Sequence, residues 1–174
     1  MAHSIELLFD PDTEAAIRRG WEDLAAAGLP SQGAVTSATN RPHVTLAVAD
    51  RIDPQIDSLL TPLGRLLPMP CRLGGTLLFG QRKPVLARLV VPSAELLSAH
   101  AQVHRLSVGH LMPGPFAHVL PGQWTPHVTL ARRIDPELLS RALAVLGGRG
   151  GDINARFVGL RRWDGDNRVD RLIS

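Results

Sequence analysis

The chain carries the same six residues twice. Pro42-His43-Val44-Thr45-Leu46-Ala47 returns as Pro126-His127-Val128-Thr129-Leu130-Ala131, and Ile-Asp-Pro follows each copy, at Ile52-Asp53-Pro54 and Ile134-Asp135-Pro136. In a chain of 174 residues such a self-match arises by chance with a probability on the order of 10⁻³, from residue frequencies alone. The two histidines are 84 residues apart. A segment repeated together with its context predicts two related halves. Each half presents one His and one Thr, so a single site built symmetrically from both is expected.

The repeated string has a period of two. Val44, Leu46 and Val48 alternate with His43, Thr45 and Ala47, the signature of a strand with one apolar face. His43 and Thr45 then share one face, as do His127 and Thr129. The surrounding sequence follows the same order in both halves. Residues 4–9 read as a strand, and Asp10-Pro11 opens a helix through Ile17, Trp21 and Leu24 that ends at Gly28. Asp53-Pro54 opens a second helix with Ile56, Leu59, Leu60 and Leu63 inward, and residues 72–80 form a strand interrupted by Gly74-Gly75. In the second half, a strand over 85–91 precedes a helix capped by Ser93, with Leu96, Leu97, Val103 and Leu106 inward. A Gly/Pro-rich connector over 111–123 leads to the repeated strand. Asp135-Pro136 opens a helix through Leu139, Leu143 and Leu146 that ends at Gly147-Gly148. Strands at 153–162 and 169–173 flank a turn through Asp164-Gly165-Asp166-Asn167.

The expected fold class is α+β: a duplicated bilobal fold of two antiparallel-leaning sheets with outer helices and a central groove. It forms one domain, with repeat units at 4–80 and 85–162 and a closing strand at 169–173. Aromatic residues make up only 4% of the chain, so aliphatic side chains must fill the core. The net charge of +3 implies no extended basic surface for long nucleic acid. Of the 19 basic residues all but Lys83 are Arg, the side chain suited to bidentate phosphate contacts; a coding bias explains that preference equally well. Cys71 is the sole cysteine, which excludes an intramolecular disulfide and fits a reducing compartment. With neither a signal-peptide pattern nor a membrane-length apolar run, the expected location is cytoplasmic.

Two imidazoles and two hydroxyls facing one point suit phosphoryl transfer without a metal. In-line displacement at phosphorus needs a base on the attacking oxygen and an acid on the leaving oxygen. A pair of histidines supplies both near neutral pH, and threonine hydroxyls donate to non-bridging oxygens. These paired His-x-Thr strings resemble the signatures of the two-histidine phosphoesterase superfamily. The second string, running on to Arg132, is similar to the form found in its 2′-5′ RNA ligase and 2′,3′-cyclic phosphodiesterase branch. The resemblance implies opening of nucleoside 2′,3′-cyclic phosphates or action on 2′-5′ linkages, with no metal and no nucleotide cofactor. By position it implies that His43 and His127 are the acid/base pair, that Thr45 and Thr129 bind phosphate, and that Arg132 contacts phosphate.

Arg132 has the parity of the apolar face in an unbroken strand. It reaches the groove only if the strand bends, bulges or ends; otherwise Arg133 takes its place. Phe116 and Trp124 are candidates for stacking a base, whereas Trp21 and Trp163 read as core or cap residues. His100 and His104 share a helix face and lack the Glu of a metal-binding motif. Arg161 and Arg162 divide between an RNA-backbone contact and a solvated pair. The expected partners are RNA termini or small cyclic nucleotides, acted on by a monomer. Two other readings stand beside this one: a non-catalytic RNA-end or nucleotide binder, and a cyclic phosphodiesterase for a non-nucleic metabolite.

Overall fold

The computed structural model describes residues 1–147 and 151–174. In chain order the strands and helices are β1 (His3–Phe9), α1 (Pro11–Ala26), β2 (His43–Ala49), β3 (Arg51–Ile52), α2 (Ile56–Leu60), β4 (Met69–Phe79), β5 (Val85–Val90), α3 (Ala94–Ser107), β6 (Leu111–Met112), β7 (His127–Ala131), α4 (Leu139–Gly147), β8 (Ile153–Asp164) and β9 (Val169–Leu172). The α+β class, the outer helices and the antiparallel pairing are as expected.

Two strand trios, β2-β1-β8 and β7-β5-β4, form the lobes. Each trio takes its third strand from the other half: β8 pairs with β1, and β4 with β5. The lobes are continuous, because residues 69–73 of β4 also pair with residues 153–157 of β8. The two sheets are thus arms of one hydrogen-bonded arrangement, joined along the twelve-residue β8. β9 closes the far end of β8, and β3 and β6 make a separate two-residue ribbon.

Local chemistry sets the helix starts. The Asp10 carboxylate caps α1, accepting from the Thr13 amide (3.0 Å) and hydroxyl (2.7 Å). It also accepts from the Arg156 amide at 2.9 Å, which ties the helix start to β8. Gly28, at φ 69°, supplies the left-handed residue that ends the helix. Val44, Leu46, Val128 and Leu130 are buried in one core with Ile17, Trp21 and Leu24 of α1 and Leu96 and Val103 of α3.

Several helix positions depart from expectation. Leu59, Leu97 and Leu143 are exposed, at 44%, 46% and 42%, because they sit on the edge of their helical stripes while Ile56, Leu96 and Ala142 take the buried centre. α2 gives way to a 3₁₀ turn over Thr61–Leu66 with Pro62 near its start. The expected Gly148 stop of α4 lies outside the described residues.

Candidate active site

In each lobe the repeated strand turns its apolar residues toward the helices and its His and Thr toward a cleft. His43, Thr45, His127 and Thr129 all line one cavity of about 840 Å³, within the range of small-ligand sites. The two histidines are held alike. His43 Nδ1 lies 2.7 Å from the Arg41 carbonyl oxygen, and His127 Nδ1 lies 2.7 Å from that of Thr125. A carbonyl only accepts, so each Nδ1 carries the hydrogen and each Nε2 is left for chemistry. Glu14 of α1 pairs with the Arg41 side chain, and Arg18 donates to the Asn40 carbonyl at 3.1 Å, so the segment leading to His43 is braced.

The threonine backbones are pinned across the lobes. The Trp21 indole donates to the Thr129 carbonyl at 3.0 Å, and the Trp124 indole donates to the Thr45 carbonyl at 2.9 Å. Trp124 stacks in parallel on His100, with centroids 4.0 Å apart, and His100 bonds the Val119 carbonyl at 2.9 Å. His100 is therefore a buried brace; burial lowers its pKa, its bond to Val119 opposing. It belongs to no group of three potential metal ligands among the described residues. Of the other tryptophans, Trp21 is a core residue, as expected. Trp163 instead lines the cleft.

A matched pair of bulges settles where Arg132 goes. Between Ile5 and Glu6, β2 passes from a partner at Ala47 to one at Thr45; between Leu86 and Ala87, β7 passes from Ala131 to Thr129. Each bulge inserts one residue and reverses the parity beyond it. Ala47 and Ala131 are consequently buried, while Val48 and Arg132 face the cleft. Arg132 Nε donates to Gln32 Oε1 at 3.2 Å. Arg133 does not enter the site: it follows the strand end at φ 56°, exposed and away from the cleft lining. Val48, expected on the apolar face, is corrected in the same way.

Phe116 and Trp124 both line the cleft, and the Phe116 amide donates to the Val48 carbonyl at 2.9 Å. His118 joins them. Arg161 and Arg162 are neither solvated nor available to an RNA backbone. Arg162 forms a two-bond pair with Asp57 at 2.7 and 2.9 Å, and Arg161 is buried under the cleft against Glu6.

The residues that sequence reading missed are Glu6, Ser4, Phe79 and Gln32, all on the cleft wall. Glu6 left a trace: a lone acid inside the apolar strand Ile5-Glu6-Leu7-Leu8. The Phe79 ring sits 4.5 Å from His127, centroid to centroid. Burial lowers the His127 pKa below the ordinary histidine value. The bond to Thr125 opposes this, and the nearby His43, Arg132 and His118 reinforce it.

The 2′-5′ RNA ligase superfamily model matches residues 11–167. The chain belongs to that superfamily. The family is one of two-histidine phosphoesterases, and solved structures with the same fold span nearly the whole chain. TT0787 of Thermus thermophilus has 18% identity and a TM-score of 0.59, covering 100% of this chain and 96% of its own. Escherichia coli LigT, solved with 3′-AMP, has 17% identity and a TM-score of 0.54, covering 98% and 92%. Kluyveromyces marxianus Usb1 has 12% identity and a TM-score of 0.52, covering 99% and 97%. No curated protein sequence gives a significant match. No helix among the described residues is long and apolar enough to cross a membrane.

Proposed function

We propose that the chain is a metal-independent phosphoesterase that opens nucleoside 2′,3′-cyclic phosphates, at RNA ends or in small nucleotides, and that acts on 2′-5′ linkages through the same site. The observation that carries this reading is the pair of imidazoles in one cleft, each with Nδ1 on a backbone carbonyl two residues earlier. One Nε2 takes a proton from water as its oxygen bonds to phosphorus. The other gives a proton to the ribose oxygen as its bond to phosphorus breaks, leaving a 2′- or 3′-phosphate. Thr45, Thr129 and Arg132 hold the non-bridging oxygens and offset the charge that develops on them. Arg132 donates to the neutral Gln32 side chain, so its guanidinium charge is available to a phosphate. Phe116, Trp124 and Trp163 offer flat apolar surface for a base along the same cleft. Solved relatives bound to 3′-AMP and to uridine monophosphate support a nucleotide-sized ligand.

The reaction needs no metal if the two rings move both protons. The one group of three potential metal ligands among the described residues is His3, Asp164 and Asp166, none of which lines the cleft. The test is a panel of 2′,3′-cyclic nucleotides, short RNAs ending in a cyclic phosphate, and cyclic sugar phosphates, with products identified. Ring opening of the nucleotide or RNA substrates, undiminished by a chelator, is expected. Protection of the cyclic ester without opening would establish a binder instead, and turnover confined to sugar phosphates would establish a metabolite enzyme.

A further inference from the structure

Away from the cleft chemistry, a histidine and two carboxylates converge where β1 meets the β8–β9 hairpin. The β1–β8 register ends with Ser4 opposite Trp163, so the next residues, His3 and Asp164, stand side by side. The turn Asp164-Gly165-Asp166-Asn167 then folds back over the start of β1. Gly165 permits that close approach, because a Cβ there would overlap the Ala2 carbonyl oxygen. Asp164 is fixed by the amides of Asp166 and Asn167, which donate to Oδ1 at 2.9 and 3.0 Å, and by the Asn167 side chain, which donates to Oδ2 at 2.8 Å. Asp166 gives one oxygen to the Met1 ammonium and turns the other to His3. His3 Nε2 thus lies 3.3 Å from Asp164 Oδ1 and 3.1 Å from Asp166 Oδ2. The His3 side chain is only 6% exposed, and its Nδ1 is buried with no hydrogen-bond partner among the described residues.

We infer that His3, Asp164 and Asp166 form a binding site for zinc or a similar first-row divalent cation, held by His3 Nε2 and one oxygen of each carboxylate. Hydrogen-bond capacity is the first argument. Whatever its protonation, Nε2 carries at most one hydrogen, which can serve only one of the two carboxylate oxygens aimed at it. A cation among the three atoms serves both. Nor is the buried ring tied elsewhere, since its other nitrogen has no partner among the described residues. Geometry is the second argument. In a tetrahedral zinc site with bonds of about 2.0–2.1 Å, neighbouring ligand atoms are roughly 3.3–3.4 Å apart, close to the separations of 3.3 and 3.1 Å found here. All three donor atoms lie within 4.8 Å of one another. Donor chemistry selects the ion: a buried imidazole suits zinc and its neighbours, whereas calcium and magnesium take oxygen ligands. Both carboxylates are anionic at neutral pH, because bonds from Asn167 lower Asp164 and the N-terminal ammonium lowers Asp166. Water completes the tetrahedron from the side of Asp166, whose side chain is 49% exposed. The bound ion pins the start of β1 to the β8–β9 turn. Ala2, Ser4 and Trp163, its neighbours along both strands, line the cleft, while the three ligands do not. It is a structural cation behind the cleft wall and takes no part in ring opening.

The test uses the full-length protein, stripped with a chelator and then titrated with Zn²⁺ alone by calorimetry. One zinc per chain is expected, with a higher unfolding midpoint, because an ion that binds only the folded state stabilises it. In ¹⁵N NMR of the histidine rings, equimolar Zn²⁺ should shift Nε2 of His3 and leave His43 and His127 unmoved. His3→Ala and the half-exposed Asp166→Asn should each weaken zinc binding by more than the roughly 10–100-fold that loss of a residue merely supporting a ligand costs, and should abolish the rise in midpoint. A wild-type protein that takes up no zinc, or whose zinc shifts His43 and His127 instead of His3, overturns the inference even if His3→Ala fails to fold. Undiminished binding in Asp166→Asn overturns it as well, and so does tighter uptake of Ca²⁺ than of Zn²⁺.

Discussion

His127 shows how burial tunes one ring of a repeated pair. If His127 moves a proton in the proposed reaction, as acid or as base, its pKa sets one limb of the kcat/KM profile against pH. Because burial lowers the His127 pKa, that limb should fall below the ordinary histidine value of about 6.5. Phe79→Ala opens the ring to water and should move that limb upward, toward that value. A pH–rate profile of both proteins checks the sign: an unmoved or lowered limb in Phe79→Ala would contradict it. The two adjacent arginines offer a second contrast. Arg132 faces the cleft and Arg133 does not, so Arg132→Ala should lower kcat/KM by roughly ten- to a hundredfold, the worth of one charge-assisted contact of about 1.5–3 kcal/mol. Arg133→Ala should leave it within about twofold, as expected of a substitution away from the site. Equal losses in steady-state assays would place the strand register elsewhere.

The repeated strands show what periodicity can and cannot convey. Their inward residues carry the core, and Leu46, 1% exposed, should cost about 2–5 kcal/mol on truncation to Ala. Leu97→Ala, on an exposed helix edge, should stay within about 0.5 kcal/mol. Denaturant titrations of the two variants distinguish the positions. Alternation made His43, Thr45, His127 and Thr129 legible as one face, and Asp10, Ser93 and Gly28 marked helix ends through chemistry local to a few residues. The bulges were not legible. An extra residue in a strand is defined by its partner's register, and Ala47 and Val48 suit either face. Leu97 and Leu143 misled because an apolar residue at the margin of a helical stripe is buried only if a neighbour reaches it. The β3–β6 ribbon, two residues on each side, is too short to leave a pattern. Glu6 and Arg161 were visible only as charges in apolar strands, and what they meet is set by β1 and β8 pairing across more than 150 residues of chain.

Taken whole, the molecule is two halves that hold each other's working parts. The third strand of each half completes the other's lobe. Trp21 from the first half pins Thr129 of the second, and Trp124 from the second pins Thr45 of the first. Gln32 meets Arg132, and the Phe116 amide meets Val48, in the same reciprocal manner. The cleft is thus braced from both sides, so its donors are positioned before a substrate arrives, which is where electrostatic catalysis gains most. Symmetry supplies the two rings, and the lobes differ at Glu6 and Ala87, which hold the same register opposite Thr45 and Thr129. Single-turnover opening of a 2′,3′-cyclic nucleotide by the wild-type protein, His43→Ala and His127→Ala tests this most directly. Each substitution should slow the reaction by about 10²–10⁴-fold while the unfolding midpoint stays near that of the wild type. Wild-type rates in either variant would contradict an acid/base pair drawn from the two lobes.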